Sequence, residues 1–135
     1  MQLSIDGTQG PAFHYALGQR LAPLREDGVL VGGFGNVVHN LAAMQRRPDA
    51  PAPGWATRFN DWVRERVLKA EHQKLIDYEA QGEDARLAVP TPEHYLPLLY
   101  TLGAQTPNDH AEVLTDGIDM GCVSMLSATL AAERG

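Results

Sequence analysis

Val29-Leu30-Val31-Gly32-Gly33-Phe34 is the stretch on which the reading of the fold turns. It is short, uncharged and rich in β-branched residues, with Gly28 before it and Gly35 after it, the pattern of a buried strand. Upstream, residues 11–25 read as a helix. Pro11 suits a first turn, where its missing N–H costs nothing, and Phe13, Leu17, Leu21 and Leu24 recur at helical spacing. Pro23 is expected to break or kink the last turn. Further upstream, Met1-Gln2-Leu3-Ser4-Ile5 alternates apolar side chains as a short strand does. Strand, helix, strand in that order predicts an α/β fold, a layered sheet with flanking helices and a parallel strand pair.

Downstream, the Pro- and Ala-rich residues 45–54 form a loop. A second helix is expected over 56–75, with Phe59, Trp62, Val63, Val67 and Leu68 as its apolar stripe. Residues 82–88 are polar and read as a surface loop. Thr91 is placed to cap a helix that begins at Pro92, runs through Tyr100 and stops at Gly103. The polar connector 105–111 leads to two final strands, near 112–114 and 121–130.

Composition narrows the classes of function. A chain of 135 residues suits one domain with a real core. A formal charge of -6, with Arg46-Arg47 as the most basic pair, gives nucleic acid no electrostatic footing. No apolar run approaches the roughly 20 residues needed to span a bilayer, and the amino terminus lacks the design of a signal peptide. The single Cys122 excludes an internal disulfide framework and fits a reducing compartment. A cytoplasmic protein without membrane or nucleic-acid partners is the expectation.

Five histidines carry most of the chemical potential: His14, His39, His72, His94 and His110. A lone histidine in such a domain is more often exposed or hydrogen-bonded in the core than a ligand. His39 closes Gly35-Asn36-Val37-Val38-His39-Asn40, directly after the expected strand. Open α/β sheets place their chemistry at the carboxyl ends of strands. The glycines there either let a ligand approach the backbone or make a tight turn. His94 falls in the first turn of a helix, where one ring nitrogen could coordinate a metal and the other be held by an acceptor. Glu93 beside it favours the positive helix end. His72, between Glu71 and Gln73, and His110, next to Asp109, read as exposed. Cys122 lies in an apolar stretch, as a structural thiol does. No Gly-x-Ser-x-Gly elbow exists, and Gly32-Gly33-Phe34-Gly35 lacks the spacing and the lysine of a phosphate loop.

Several blocks in order carry a family resemblance. They are 2–6, Phe13-His14-Tyr15-Ala16-Leu17-Gly18, 21–29, Gly35-Asn36-Val37-Val38-His39-Asn40-Leu41, Pro90-Thr91-Pro92-Glu93-His94-Tyr95-Leu96-Pro97 continuing to Tyr100, and 120–127. Together they resemble the second half of the DOPA-dioxygenase-like class III extradiol dioxygenases, non-haem iron enzymes that open catechol rings. The resemblance implies that residues 1–135 are the carboxy-terminal part of such a catalytic domain. It also implies a partial version of the family's catalytic subunit fold. His39 matches the family's acid/base beside the metal, His94 matches a metal ligand, and His14 matches a recurring histidine that could line the pocket. Fe(II) is the cofactor implied for activity, with Zn(II) possible in the same site, and a catechol-type molecule and O2 are the implied substrates.

Family members have an upstream half that supplies two further histidine ligands, which these residues do not contain. Three readings follow. The chain is an enzyme fragment with half an active site, or one subunit of a two-chain or homo-oligomeric enzyme whose partner supplies the rest. Alternatively, it is a non-catalytic remnant that serves as a binding or oligomerisation module.

Overall fold

The computed structural model describes residues 1–47 and 49–132. It is of the α/β class, with helices packed around a core and two small two-stranded sheets. The main helices are α1 (Pro11–Leu21), α2 (Gly54–Leu68), α3 (His72–Ile76), α4 (Glu83–Ala88) and α5 (Leu96–Gly103). The strands are β1 (Asp109–Thr115), β2 (Ile118–Asp119), β3 (Val123–Ser124) and β4 (Ser127–Ala132).

Helix α1 begins where Pro11 placed it. A 3-10 turn, Ala22–Arg25, tightens its end around Pro23. Its buried face is not the expected leucine stripe. Phe13 and Leu24 stay exposed, whereas His14 and Gly18 are buried, four residues apart on one face. The reason is a backbone contact: a Cβ on Gly18 would lie 2.2 Å from the carbonyl oxygen of Tyr100 in α5, and one on Gly103 would lie 2.2 Å from that of Tyr15. The α1 and α5 backbones touch because both positions lack side chains.

The expected stripe of α2 holds in part: Phe59, Val63 and Val67 are buried together with Ala56, Trp62 is half-buried, and Leu68 is exposed. The helix ends earlier than the expected 75. Ala70 takes φ 53°, Glu71 N–H bonds to Arg66 O at 2.9 Å, and Ala70 N–H bonds to Val67 O at 3.1 Å. That is the hydrogen-bond pair of a Schellman stop, made with alanine where glycine is usual. The expected loop at 82–88 is helix α4, which turns Ala85 and Ala88 into the core and its charged side chains outward. Helix α5 stops at Gly103 as expected. Thr91, however, makes no cap: its hydroxyl donates to Glu93 at 2.7 Å.

The described sheets are antiparallel, so the expected parallel pair is corrected. β1 pairs with β4 from Asp109↔Ala132 to Thr115↔Ser127, with an irregularity between Val113 and Thr115. β2 pairs with β3 across a turn in which Met120 and Gly121 both take positive φ. The stretches 1–5 and 29–34 are not strands. A strand needs a neighbour to satisfy its backbone, and no described segment pairs with either one. Leu30 and Phe34 are accordingly 93% and 92% exposed. Cys122 is buried ahead of β3 rather than within a strand, and burial raises its thiol pKa.

His72 is also corrected. It is half-buried between α1 and the end of α5, with Nδ1 2.8 Å from Tyr15 Oη and Nε2 2.8 Å from Gln105 Oε1. Gln105 donates its amide to Asp109 O at 3.1 Å, which orients its oxygen toward His72. The ring is therefore the Nε2–H tautomer, accepting from Tyr15. Burial lowers its pKa below the ordinary 6.5. A group depressed in this way stabilises the fold fully above its unfolded pKa, and that contribution is lost as pH falls through the folded value. The drop in urea midpoint between pH 7 and pH 5 is expected to be smaller in His72→Gln than in the wild type. An equal drop in both would show that the ring does not couple to folding.

Candidate active site

Residues 35–40 follow the unpaired extended segment and enter the core at Val37 and Val38. His39 is held through its backbone: its N–H bonds to Ala88 O at 2.9 Å, and it forms an isolated antiparallel bridge with Val123. Asn40 closes the turn, donating its amide to Leu87 O at 2.8 Å and accepting from Ala43 N at 3.2 Å. On the other side, His94 ends the 3-10 turn Pro92–His94 that leads into α5.

The two segments meet without side chains between them. A Cβ on Gly35 would lie 2.1 Å from His94 O, and one on Gly33 would lie 2.3 Å from Pro97 O. These glycines let 33–35 lie against the start of α5. Asn36 N–H then donates to His94 O at 2.8 Å.

This approach stacks the imidazoles of His39 and His94, with centroids 3.6 Å apart and planes 15° from parallel. Burial and the neighbouring His94 both lower the pKa of His39, against an opposing pull from Glu93. Two rings so close resist carrying a proton each, so the pair favours a neutral His39 able to accept one. A cavity of about 270 Å³ is lined by His94, Phe34, Leu98, Leu126, Thr101 and Asn36, among others, but not by His39. An apolar cleft with a few polar groups suits a small organic ligand.

Of the three residues singled out from sequence, the fold brings His39 and His94 together and leaves His14 apart. His14 is fully buried, donates Nδ1–H to Gly10 O at 2.8 Å and packs edge-on against Tyr100. It does not line the cleft. His110 is exposed in β1, as read from sequence. Asn36, Ser124 and Asn60 support the pair and were not singled out. The visible signal was Asn60, a polar residue on the buried stripe of α2.

Residues 2–131 match the family described as the catalytic LigB subunit of aromatic ring-opening dioxygenase. The chain belongs to this family. It is 41% identical to the 4,5-DOPA dioxygenase extradiol of Escherichia coli (strain K12), over 96% of this chain and 49% of that protein. With the enzyme of the same name from Beta vulgaris it shares 35% identity, over 91% of this chain and 46% of that one. The fold matches a crystal structure of an uncharacterized Escherichia coli K12 protein at a TM-score of 0.83 and 41% identity, covering 93% of this chain and 52% of that one. This LigB-family chain thus spans about half the length of the curated relatives it matches.

The donors present decide whether these residues alone can hold a metal of the kind the family uses. Among the described residues, no group of three or more His, Cys, Asp or Glu side chains is placed to hold an ion. His39 and His94 offer imidazole nitrogens, and the nearby Glu93 carboxylate is engaged by Thr91. A ferrous site with open positions uses about three protein ligands. The described residues alone fall short of that set.

Proposed function

We propose that this chain is the carboxy-terminal part of an extradiol dioxygenase that opens the ring of a catechol-type substrate, DOPA-like or another ortho-diol, with O2. The observation that carries this reading is the stacked His39–His94 pair, of which His94 lines an apolar cleft, in a member of a ring-opening dioxygenase family. His39 is the acid/base: a neutral imidazole takes a proton from a catechol hydroxyl and returns it later in the reaction. His94 contributes one nitrogen to a divalent metal, Fe(II) for activity, with Zn(II) able to accept the same donor. His14 would reach a substrate only through its Nε2, which is buried and has no hydrogen-bond partner. Among the described residues no helix is long and apolar enough to cross a membrane, and we place the enzyme in the cytoplasm.

The remaining ligands come from residues other than 1–135, in the same enzyme or in a chain that associates with this one. The exposed apolar side chains of the unpaired 29–34 segment favour such association. The same segment equally suits a non-catalytic oligomerisation module, and metal dependence separates the two. The test is an anaerobic Fe(II) titration of the chain alone and mixed with the unmatched half of the Escherichia coli relative, followed by oxygen uptake on a panel of catechols. Weak binding alone, stoichiometric binding in the mixture and catechol-dependent uptake are expected. Tight self-association in which neither form binds Fe(II) would replace the enzyme reading with the module.

A further inference from the structure

We propose that Asn60, buried on the inner face of α2, is a positioning residue for the His39–His94 pair, acting through Ser124 and Asn36. The proposal rests on the functional reading above only for the purpose of the pair; the geometry stands without it.

Asn60 is 3% exposed among Ala56, Phe59 and Val63. A polar side chain there is costly unless its groups are paired. Both ends are. Its Oδ1 accepts from Ser124 Oγ at 2.6 Å, and its Nδ2 donates to Asp116 Oδ1 at 2.8 Å. Asp116 is acceptor-only, so the amide cannot flip without losing this bond. Asp116 is itself held by Gly117 N–H at 2.8 Å and by the guanidinium of Arg64.

Ser124 is 1% exposed and is the point where the two histidine segments are tied together. Its N–H donates to Val38 O at 2.9 Å, one residue before His39. Its carbonyl accepts from Asn36 Nδ2 at 2.7 Å, and Asn36 N–H in turn holds His94 O. Its hydroxyl, with the proton given to Asn60, accepts from Leu126 N–H at 3.1 Å. A displacement of Ser124 therefore moves the backbone under His39 and the residue clamping His94 together. The spacing of the rings is set from α2, by a side chain that touches neither ring. Leucine at position 60 would fill similar space in the core but leave the Ser124 hydroxyl and Asp116 without their partner.

NMR of the full chain tests this through the ring protons of His39 and His94. The wild type should show a cross-ring NOE and ring-current displacement from stacking. Asn60→Leu and the milder Ser124→Ala should lose the NOE and move the ring signals toward free-imidazole positions, while the methyls of Leu75 and Leu99 stay in place. The pair Asn60→Asp with Asp116→Asn restores a donor–acceptor bond in the opposite sense and should recover both signatures. Should Asn60→Leu fail to fold, Ser124→Ala and the double variant carry the test. Unchanged ring signals in the folded variants, absence of the NOE in the wild type, or no recovery in the double variant would overturn the proposal. An assembly that binds Fe(II) yet consumes no oxygen with catechols would remove the functional reading and leave this one standing.

Discussion

In an assembly that turns over a catechol, His39→Ala is expected to lower kcat by roughly 10²–10⁴-fold, the usual worth of a positioned acid/base, with metal content unchanged. His94→Ala is expected to lose the metal itself. The two rings are stacked and share one environment, yet their roles differ. The pKa of His39 is depressed by burial and by its neighbour, which keeps its nitrogen free to take a proton near neutrality. If His39 serves as the base, activity should fall as pH drops through its lowered pKa, because the protonated ring cannot accept. Steady-state oxygen uptake against pH, with metal analysis of each variant, checks both expectations. Wild-type uptake in both alanine variants would mean that the stacked pair is not the reacting centre.

The second large effect is structural. Gly18→Val is expected to cost about 3 kcal/mol or more of folding stability, at or beyond the upper end of ordinary overpacking penalties. A Cβ there would also lie 2.9 Å from the carbonyl carbon and Cα of Tyr100, atoms of a helix backbone that no rotamer change can clear. The helices α1 and α5 would have to separate, exposing His14 and part of the core. Gly7→Ala is the matched control, since a Cβ at Gly7 meets nothing within 4 Å. Gly18→Ala and Gly103→Ala combined should cost less than the sum of the two, because either one alone already forces the helices apart. Urea denaturation of these five variants, the double included, measures all of this.

The elements legible in the sequence were those whose signals are local. Pro11 opens α1, Gly103 closes α5, and the stripe of α2 announces its buried face. What was hidden depends on partners far along the chain. The run 29–34 has a strand's composition, but composition supplies no neighbour to pair with. Ala70 stops α2 in a conformation that glycine usually marks, so nothing flagged it. In α4, two small alanines among charged residues gave too faint an apolar face to outweigh the polarity. His72 looked exposed from its charged neighbours, yet Tyr15 and Gln105 approach it from elsewhere in the fold. The site shows the same division. Family resemblance named His39 and His94, but their stacking follows from glycine contacts and an asparagine clamp that no local pattern displays.

The missing side chains at positions 33 and 35 also bear on engineering. An alanine scan would rank Gly35 among the damaging positions although it carries no functional group, because the scan adds there the Cβ that would collide with the carbonyl of His94. Recombination or library design around the cleft should therefore hold 33 and 35 fixed and spend its diversity on Phe34, whose ring lines the cleft yet is almost wholly exposed. Within three consecutive residues the protein alternates positions that tolerate no change with one free to explore a new ligand.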